Sequence, residues 1–197
     1  MLPFVPANIR KTIEFGCGNG NFSSILKGKY HTEFWGIDVN DAALKEAEKK
    51  LDRVIKGDAN DVISTLPDDY FDCVICNDFL EHLAFPDRFL TEIRSHLQPG
   101  AFFIASVPNI RYWRTFIEYF FKKDWKYVDA GILDHTHLRF FTKKSIIKLL
   151  KSCDIEIEHI QGINKINSMD FFLANMLLLG FIDDMQYLQY GLRGRFT

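Results

Sequence analysis

Three glycines at alternate positions, Gly16, Gly18 and Gly20, follow an acidic residue in the run Glu14-Phe15-Gly16-Cys17-Gly18-Asn19-Gly20-Asn21. Without a Cβ such a backbone takes left-handed turns and approaches a bound molecule closely, and the helix-type stretch Phe22 to Lys27 adds the positive end of a helix dipole. A nucleotide-like ligand is implied. The dinucleotide fingerprint G-x-G-x-x-G needs glycine at position 21, where asparagine stands, so a nicotinamide cofactor is disfavoured. Asp38 lies 22 residues beyond Gly16, at the end of Gly36-Ile37-Asp38, about the separation at which a carboxylate accepts hydrogen bonds from a ribose. Further titratable groups gather in Asn77-Asp78-Phe79-Leu80-Glu81-His82 and in Asp134-His135-Thr136-His137. Imidazoles change charge near neutral pH, so His82, His135 and His137 are the candidate general bases, the last two on one face if their segment is extended. Arg111, Arg114 and Arg139, with Tyr112 among them, carry donors suited to an anionic substrate, a carboxylate or phosphate; surface solvation is the plainer reading of the arginines.

These residues must be positioned by elements. From Thr12 to about Asn109 strand-type and helix-type pieces alternate, as in a parallel sheet with helices on both faces. Strand-like runs are Thr12 to Cys17, Glu33 to Val39, Arg53 to Gly57, Phe71 to Asn77 and Ala101 to Val107. Asp41 to Leu51 reads as a helix capped by Asn40 or Asp41, and Pro86 to Leu97 as one opened by proline. The candidate site residues thus fall where strands end, at the sheet edge where open α/β folds bind ligands. After Pro108 the segment Tyr112 to Tyr127 interleaves aromatics with Arg114, Lys122, Lys123 and Lys126, and reads as an inserted lid over about 110–141. Its aromatic face, Trp113, Phe116, Tyr119 and Phe120, suits packing on the sheet or lining an apolar pocket. Thr142 caps a helix from Lys143 to about Ser152, and Glu156 to Ile163 alternates as a last strand. Residues 167–197 read as an apolar helical tail, whose run Met169 to Ile182 needs a cover, by fold-back or a homodimer partner in preference to a membrane surface.

Composition narrows the function. At 197 residues and 47% hydrophobic the chain supports one sizeable core, a domain over 1–166 and the tail. A net charge of -2 gives no global field for nucleic acid, and no nucleic-acid partner is expected. Four cysteines, at 17, 73, 76 and 153, make no secreted framework and fit a cytoplasmic protein. Cys73 and Cys76 fall within one apolar run, whose period of two turns them to opposite faces. Neither a signal peptide nor a transmembrane segment is evident.

Taken in order, the acidic glycine loop, Asp38, Gly57-Asp58-Ala59 and the strand ending in Asn77 resemble the motifs of class I S-adenosylmethionine-dependent methyltransferases, over residues 8 to about 163. The resemblance implies a Rossmann-like, seven-stranded, mostly parallel sheet and S-adenosylmethionine as cofactor. Gly16, Gly18, Gly20 and Asn77 would then lie at the methionine part, Asp38 at the ribose and Asp58 at the adenine, with Glu14, Val39 and Ala59 also among the cofactor-binding residues. Leu97-Gln98-Pro99-Gly100 is a common family turn. Many relatives carry helices ahead of the glycine loop, whereas residues 1–11 alone precede the first strand here, so cofactor enclosure must come from elsewhere or be incomplete. Asp78, Glu81 and His82 resemble a metal-binding cluster of the ubiquinone-biosynthesis O-methyltransferases. The Glu-His pair is also widespread in relatives without known metal, and none is expected here. The segment Gly131 to Thr142, with Pro108-Asn109, resembles a bacterial subgroup whose substrates are mostly unassigned.

The resulting expectation is a methyltransferase acting on oxygen or nitrogen of a small-molecule acceptor, anionic or sugar-like. A non-catalytic cofactor-binding partner subunit and an RNA methyltransferase are the alternatives. The Asn/Asp-Pro-Pro-Tyr/Phe motif of amino-group methyltransferases is missing, the chain reading Asn77-Asp78-Phe79-Leu80 at that place.

Overall fold

The computed structural model describes residues 1–197. Seven strands, β1 (Lys11–Phe15), β2 (Glu33–Asp38), β3 (Arg53–Lys56), β4 (Phe71–Asn77), β5 (Leu97–Pro108), β6 (Ile155–Lys165) and β7 (Tyr187–Phe196), form one sheet in the order β3-β2-β1-β4-β5-β7-β6. The pairs among β1 to β5 are parallel, and β7 runs antiparallel between β5 and β6. Strand order reverses between β1 and β4, which places the ends of those strands, and the glycine loop after β1, at the crevice of a doubly wound sheet.

Side-chain alternation along β4 decides what covers each face. Val74 and Cys76 join the larger core, which β5 continues through Phe103 and Ala105. It is covered by α3 (Ala59–Ile63), α4 (Pro86–Glu92) and α6 (Lys143–Ser152), through Val62, Phe89 and Ile146. Cys73 and Ile75 face the other core, under α1 (Asn21–Tyr30) and α2 (Asp41–Ala47), with Leu26, Leu44 and Ala47. The four cysteines are buried and unpaired, Cys73 and Cys76 on opposite faces. The caps follow the sequence: the Asn40 side chain accepts from the Ala42 and Ala43 amides, and Thr142 makes a capping box with Ser145. α2 is shorter than the span Asp41 to Leu51, and α4 gives way to a 3-10 turn at Ile93–His96.

One boundary needs correcting. The expected helical tail over 167–197 is helical at α7 (Met169–Leu177) and at a short 3-10 turn, Asp183–Gln186; Tyr187–Phe196 is β7, an interior strand. Glu156 to Ile163 therefore belongs to the penultimate strand, and residues 187–196 are integral to the sheet of the domain ascribed to 1–166. The physical reason is a period of two: Tyr190, Leu192 and Phe196 enter the larger core while Arg193 and Arg195 on the other face meet Glu158. The register also requires small residues, since a Cβ on Gly191 would stand 2.7 Å from the Phe4 ring.

The aromatic segment forms α5 (Trp113–Lys122), and it packs on α7 where sheet packing or an apolar pocket was expected. Trp113 meets Phe171 edge to face at 5.6 Å, in a separate small cluster with Ile166, Ile182 and Met185. Tyr119, Phe120 and Phe121 remain exposed, as do Leu177, Leu179 and Phe181. No helix is long and apolar enough to cross a membrane.

Candidate active site

Gly16, Gly18 and Gly20 all have positive φ, the left-handed region that favours glycine. The loop they form is pinned at both ends. The Gly18 amide donates to Asp38 Oδ2 at 2.8 Å, and Lys50 Nζ donates to the Asn19 carbonyl at 2.7 Å and to Asn21 Oδ1 at 2.8 Å. Asp38 also accepts from the Asn40 amide at 2.8 Å, while the Gly57 amide bonds the Asp38 carbonyl, bringing the ends of β2 and β3 to one rim. On that rim Val39 is exposed and Asp58 caps α3, accepting from the Asn60 amide at 2.9 Å; Ala59 is buried behind it. A Cβ on Gly18 would meet no atom within 4 Å, so the loop borders open space.

Beside the loop lies a cleft of about 710 Å³, lined by Glu14, Gly16, Asn77, Asp78, Ser106 and Gln189 among others. Met1 and Phe4 from the N-terminal turn, and His159 and Gln161 from β6, complete its wall. Glu14 is buried on β1, where it accepts from the Ser23 hydroxyl and from Asn77 Nδ2 at 3.4 Å. Burial pushes its carboxyl up to about 7, against the downward pull of those hydrogen bonds. Asn77 Oδ1 is buried with no partner. An acceptor left bare beside a carboxyl group in a cleft calls for a hydrogen-bond donor.

A second chamber, of about 250 Å³, is lined by Asp78, Glu81, Pro108, Ile132, His137 and Gln189, among others. The two spaces share Asp78 and Gln189 as a wall. Asp78 has φ of 46° and accepts from Gln189 Nε2 at 2.7 and 2.8 Å and from the Ser106 hydroxyl at 3.1 Å; burial nevertheless raises its carboxyl above the ordinary range. Glu81 is buried and burial pushes it up to about 8, with Asp78 adding a smaller push. The His137 ring lies 4.8 Å from that of His82, and its Nε2 is 4.0 Å from Glu81 Oε1. Burial, then the neighbouring His137, lower the pKa of His82.

The structure thus unites His82 and His137 and separates them from His135. Residues 131–137 form turns, the His137 amide bonding the Asp134 carbonyl, so the expected extended face does not exist and His135 points to solvent beside Asp129 and Asp134. Nor do the arginines form an anion clamp. Arg111 is engaged by Asp184 through two hydrogen bonds, Arg139 donates to the Ala84 carbonyl, Arg114 lies beside Trp113 and Ile117, and Tyr112 packs on the α5–α7 cluster. The sequence reading missed Gln189, Ser106 and Lys50. Gln189 was obscured by the assignment of its segment to a tail; Lys50 and Ser106 carry no motif.

A family model described as a methyltransferase domain matches residues 5–160. The chain belongs to the class I S-adenosylmethionine-dependent methyltransferases. A fatty-acid O-methyltransferase of Mycolicibacterium smegmatis is 31% identical over 110 residues, a match spanning 52% of this chain and only 39% of that protein. A ubiquinone biosynthesis O-methyltransferase of Burkholderia orbicola is 24% identical over 162 residues, covering 78% of this chain and 68% of that one. Among solved structures, a methyltransferase from Archaeoglobus fulgidus superimposes with a TM-score of 0.69 at 22% identity, covering 98% of this chain and 89% of that one; at this identity the likeness is one of fold. The cofactor of this methyltransferase is S-adenosylmethionine, and its site fits: the bare Asn77 Oδ1 beside Glu14 suits an ammonium, and the space at Gly18 suits a backbone-hugging ligand.

Proposed function

We propose that this methyltransferase transfers a methyl group to an oxygen of a small, largely neutral acceptor held in the chamber beside Glu81 and His137. The observation that carries this reading is the shared Asp78–Gln189 wall, which makes the chamber the immediate neighbour of the cofactor cleft. Oxygen is favoured over nitrogen because both curated relatives above are O-methyltransferases. An anionic acceptor is disfavoured because no arginine or lysine lines the chamber.

When bound, S-adenosylmethionine supplies an electrophilic methyl carbon on a sulfonium sulfur. In this reading Asp38, with Val39 beside it, receives the ribose, Asp58 and Ala59 flank the adenine, and Glu14 and Asn77 face the ammonium. Asp78 and Gln189 orient the acceptor toward the cleft. The cofactor would supply the methyl group while its sulfur keeps the electron pair of the carbon–sulfur bond, and the acceptor's hydroxyl proton would leave past His137, which lines the chamber. Alignment supplies most of the acceleration, and removal of the proton adds to it.

The test is transfer of labelled methyl groups to panels of phenols, carboxylic acids, sugars and amines. Label in hydroxylated acceptors, lost in Asp78→Ala, supports the reading; label in amines alone overturns it. The non-catalytic alternative keeps one supporting observation, the exposed Leu177, Leu179 and Phe181, a surface suited to a partner or a second copy. It predicts cofactor binding with no acceptor in any panel.

A further inference from the structure

Glu81, His82 and His137 come from two separate stretches of chain, yet one donor atom of each lies within 4.8 Å of the others. The stretches are fastened together by backbone, the Glu81 carbonyl accepting from the amides of Leu138 at 2.8 Å and Arg139 at 3.0 Å. Each imidazole is oriented from behind. His137 Nδ1 stands 2.9 Å from the Ile132 carbonyl, which can only accept, so Nδ1 carries the proton and Nε2 turns a lone pair toward Glu81. Thr136 spends its hydroxyl hydrogen on Asp134 Oδ1 at 2.6 Å and stands 3.1 Å from His82 Nδ1, from which it accepts; the lone pair of His82 is therefore on Nε2.

The carboxylate gives the second, independent observation. Glu81 is only 1% exposed, and neither of its oxygens receives a hydrogen bond from another residue. Burying a carboxyl group without a partner is costly, and a cation between the three side chains removes that cost.

We propose that Glu81, His82 and His137 bind a divalent transition-metal ion of the zinc type, with an open position toward the smaller chamber. Two imidazole nitrogens and one carboxylate oxygen suit zinc, iron(II) or cobalt(II), whereas magnesium and calcium take oxygen ligands. Three protein ligands with a position left open is the pattern of a catalytic site. The groups behind the two imidazoles, a backbone carbonyl and the Thr136–Asp134 pair, are the kind that fix metal-binding histidines. This set differs from the acidic-x-x-Glu-His cluster legible in the sequence: Gln189 holds both Asp78 oxygens, and His137 from the insertion replaces it. The role of the ion rests on the methyltransferase reading of the chamber. With the ion in place the imidazoles serve as ligands, and the ion, rather than a free imidazole, eases loss of the acceptor's proton to solvent.

The test uses the full chain without an affinity tag, stripped by chelator and dialysed against cobalt(II) or zinc(II). The expected result is one equivalent of metal per chain, visible absorption bands of low-symmetry cobalt(II), and affinity at least about tenfold lower in Glu81→Gln and His137→Gln, with Asp78→Asn binding metal like the parent. Substoichiometric binding overturns the site, as does parental affinity in both ligand variants. If circular dichroism shows His137→Gln unfolded, the near-isosteric Glu81→Gln decides alone. Parallel cofactor titrations and methyl-transfer assays separate the two readings: turnover unchanged in excess chelator overturns the ion's role alone, whereas metal binding without any cofactor binding overturns the enzyme reading alone.

Discussion

Gln189 Nε2 donates to both carboxylate oxygens of Asp78, at 2.7 and 2.8 Å, joining the C-terminal strand to the turn after β4. Asp78 holds a left-handed backbone there, and Ser106 provides its other side-chain partner. Replacing Gln189 by Leu leaves an exposed carboxylate with one hydroxyl donor. Loss of about 0.5–1 kcal/mol of stability is expected, the lower part of the range for a hydrogen bond open to solvent. Urea unfolding measures it; an unchanged midpoint removes the structural role given to this pair.

The second prediction concerns pH. Burial raises Glu14 from 4.5 to about 7, so the native state keeps a proton that the unfolded chain releases between those values. A raised carboxyl stabilises fully below its unfolded pKa, and that contribution is lost as pH rises through the native one. Relative to Glu14→Gln, the cofactor-free parent should therefore lose about 2–3 kcal/mol of stability between pH 4.5 and pH 8. Unfolding curves across that range test this, and parallel pH profiles for the two proteins would contradict it.

The two histidines of the insertion should behave differently. His135 is exposed on the outer side of a turn, while His137 lines the chamber. His135→Ala is expected to keep turnover within about twofold, as a surface change does. His137→Gln should lower kcat by about 100-fold or more, the scale of losing assistance to proton transfer. Equal effects on kcat would show that the insertion acts as a whole and not through one side chain.

Local stability should be uneven. The α5–α7 cluster holds four buried residues, against 29 in the larger core. Amides of α5 and α7 should then exchange with deuterium through local openings well before those of β4 and β5. Phe171→Ala should quicken exchange in α5 while the sheet keeps its protection; a uniform change across the chain would mean that the cluster is not a separate unit.

Much of the fold was legible because short-range rules and tertiary structure agree. β4 matches Phe71 to Asn77, the Asn40 and Thr142 caps form, and the glycine loop and Asp38 meet through the Gly18 amide. The misreadings have identifiable causes. β7 carried a period-two signal in Tyr190, Leu192 and Phe196, but Gly191 and Gly194 interrupted it and the preceding apolar run suggested a continuing helix. The aromatic face of α5 announced burial correctly in kind, yet no local rule names its partner, which is α7. His135 and His137 were paired by assuming an extended segment, whereas turns around Gly131 and Asp134 reverse their directions. Partners distant in sequence, such as Gln189 for Asp78, leave no mark in either local segment.

The most direct test of the account is calorimetric titration of the full chain with S-adenosylmethionine and S-adenosylhomocysteine, alongside Asp38→Ala. The account predicts one cofactor per chain and an affinity about 30- to 1000-fold lower in the variant, the scale of one or two lost hydrogen bonds to a charged group. No binding by the parent, or equal binding by parent and variant, would contradict it.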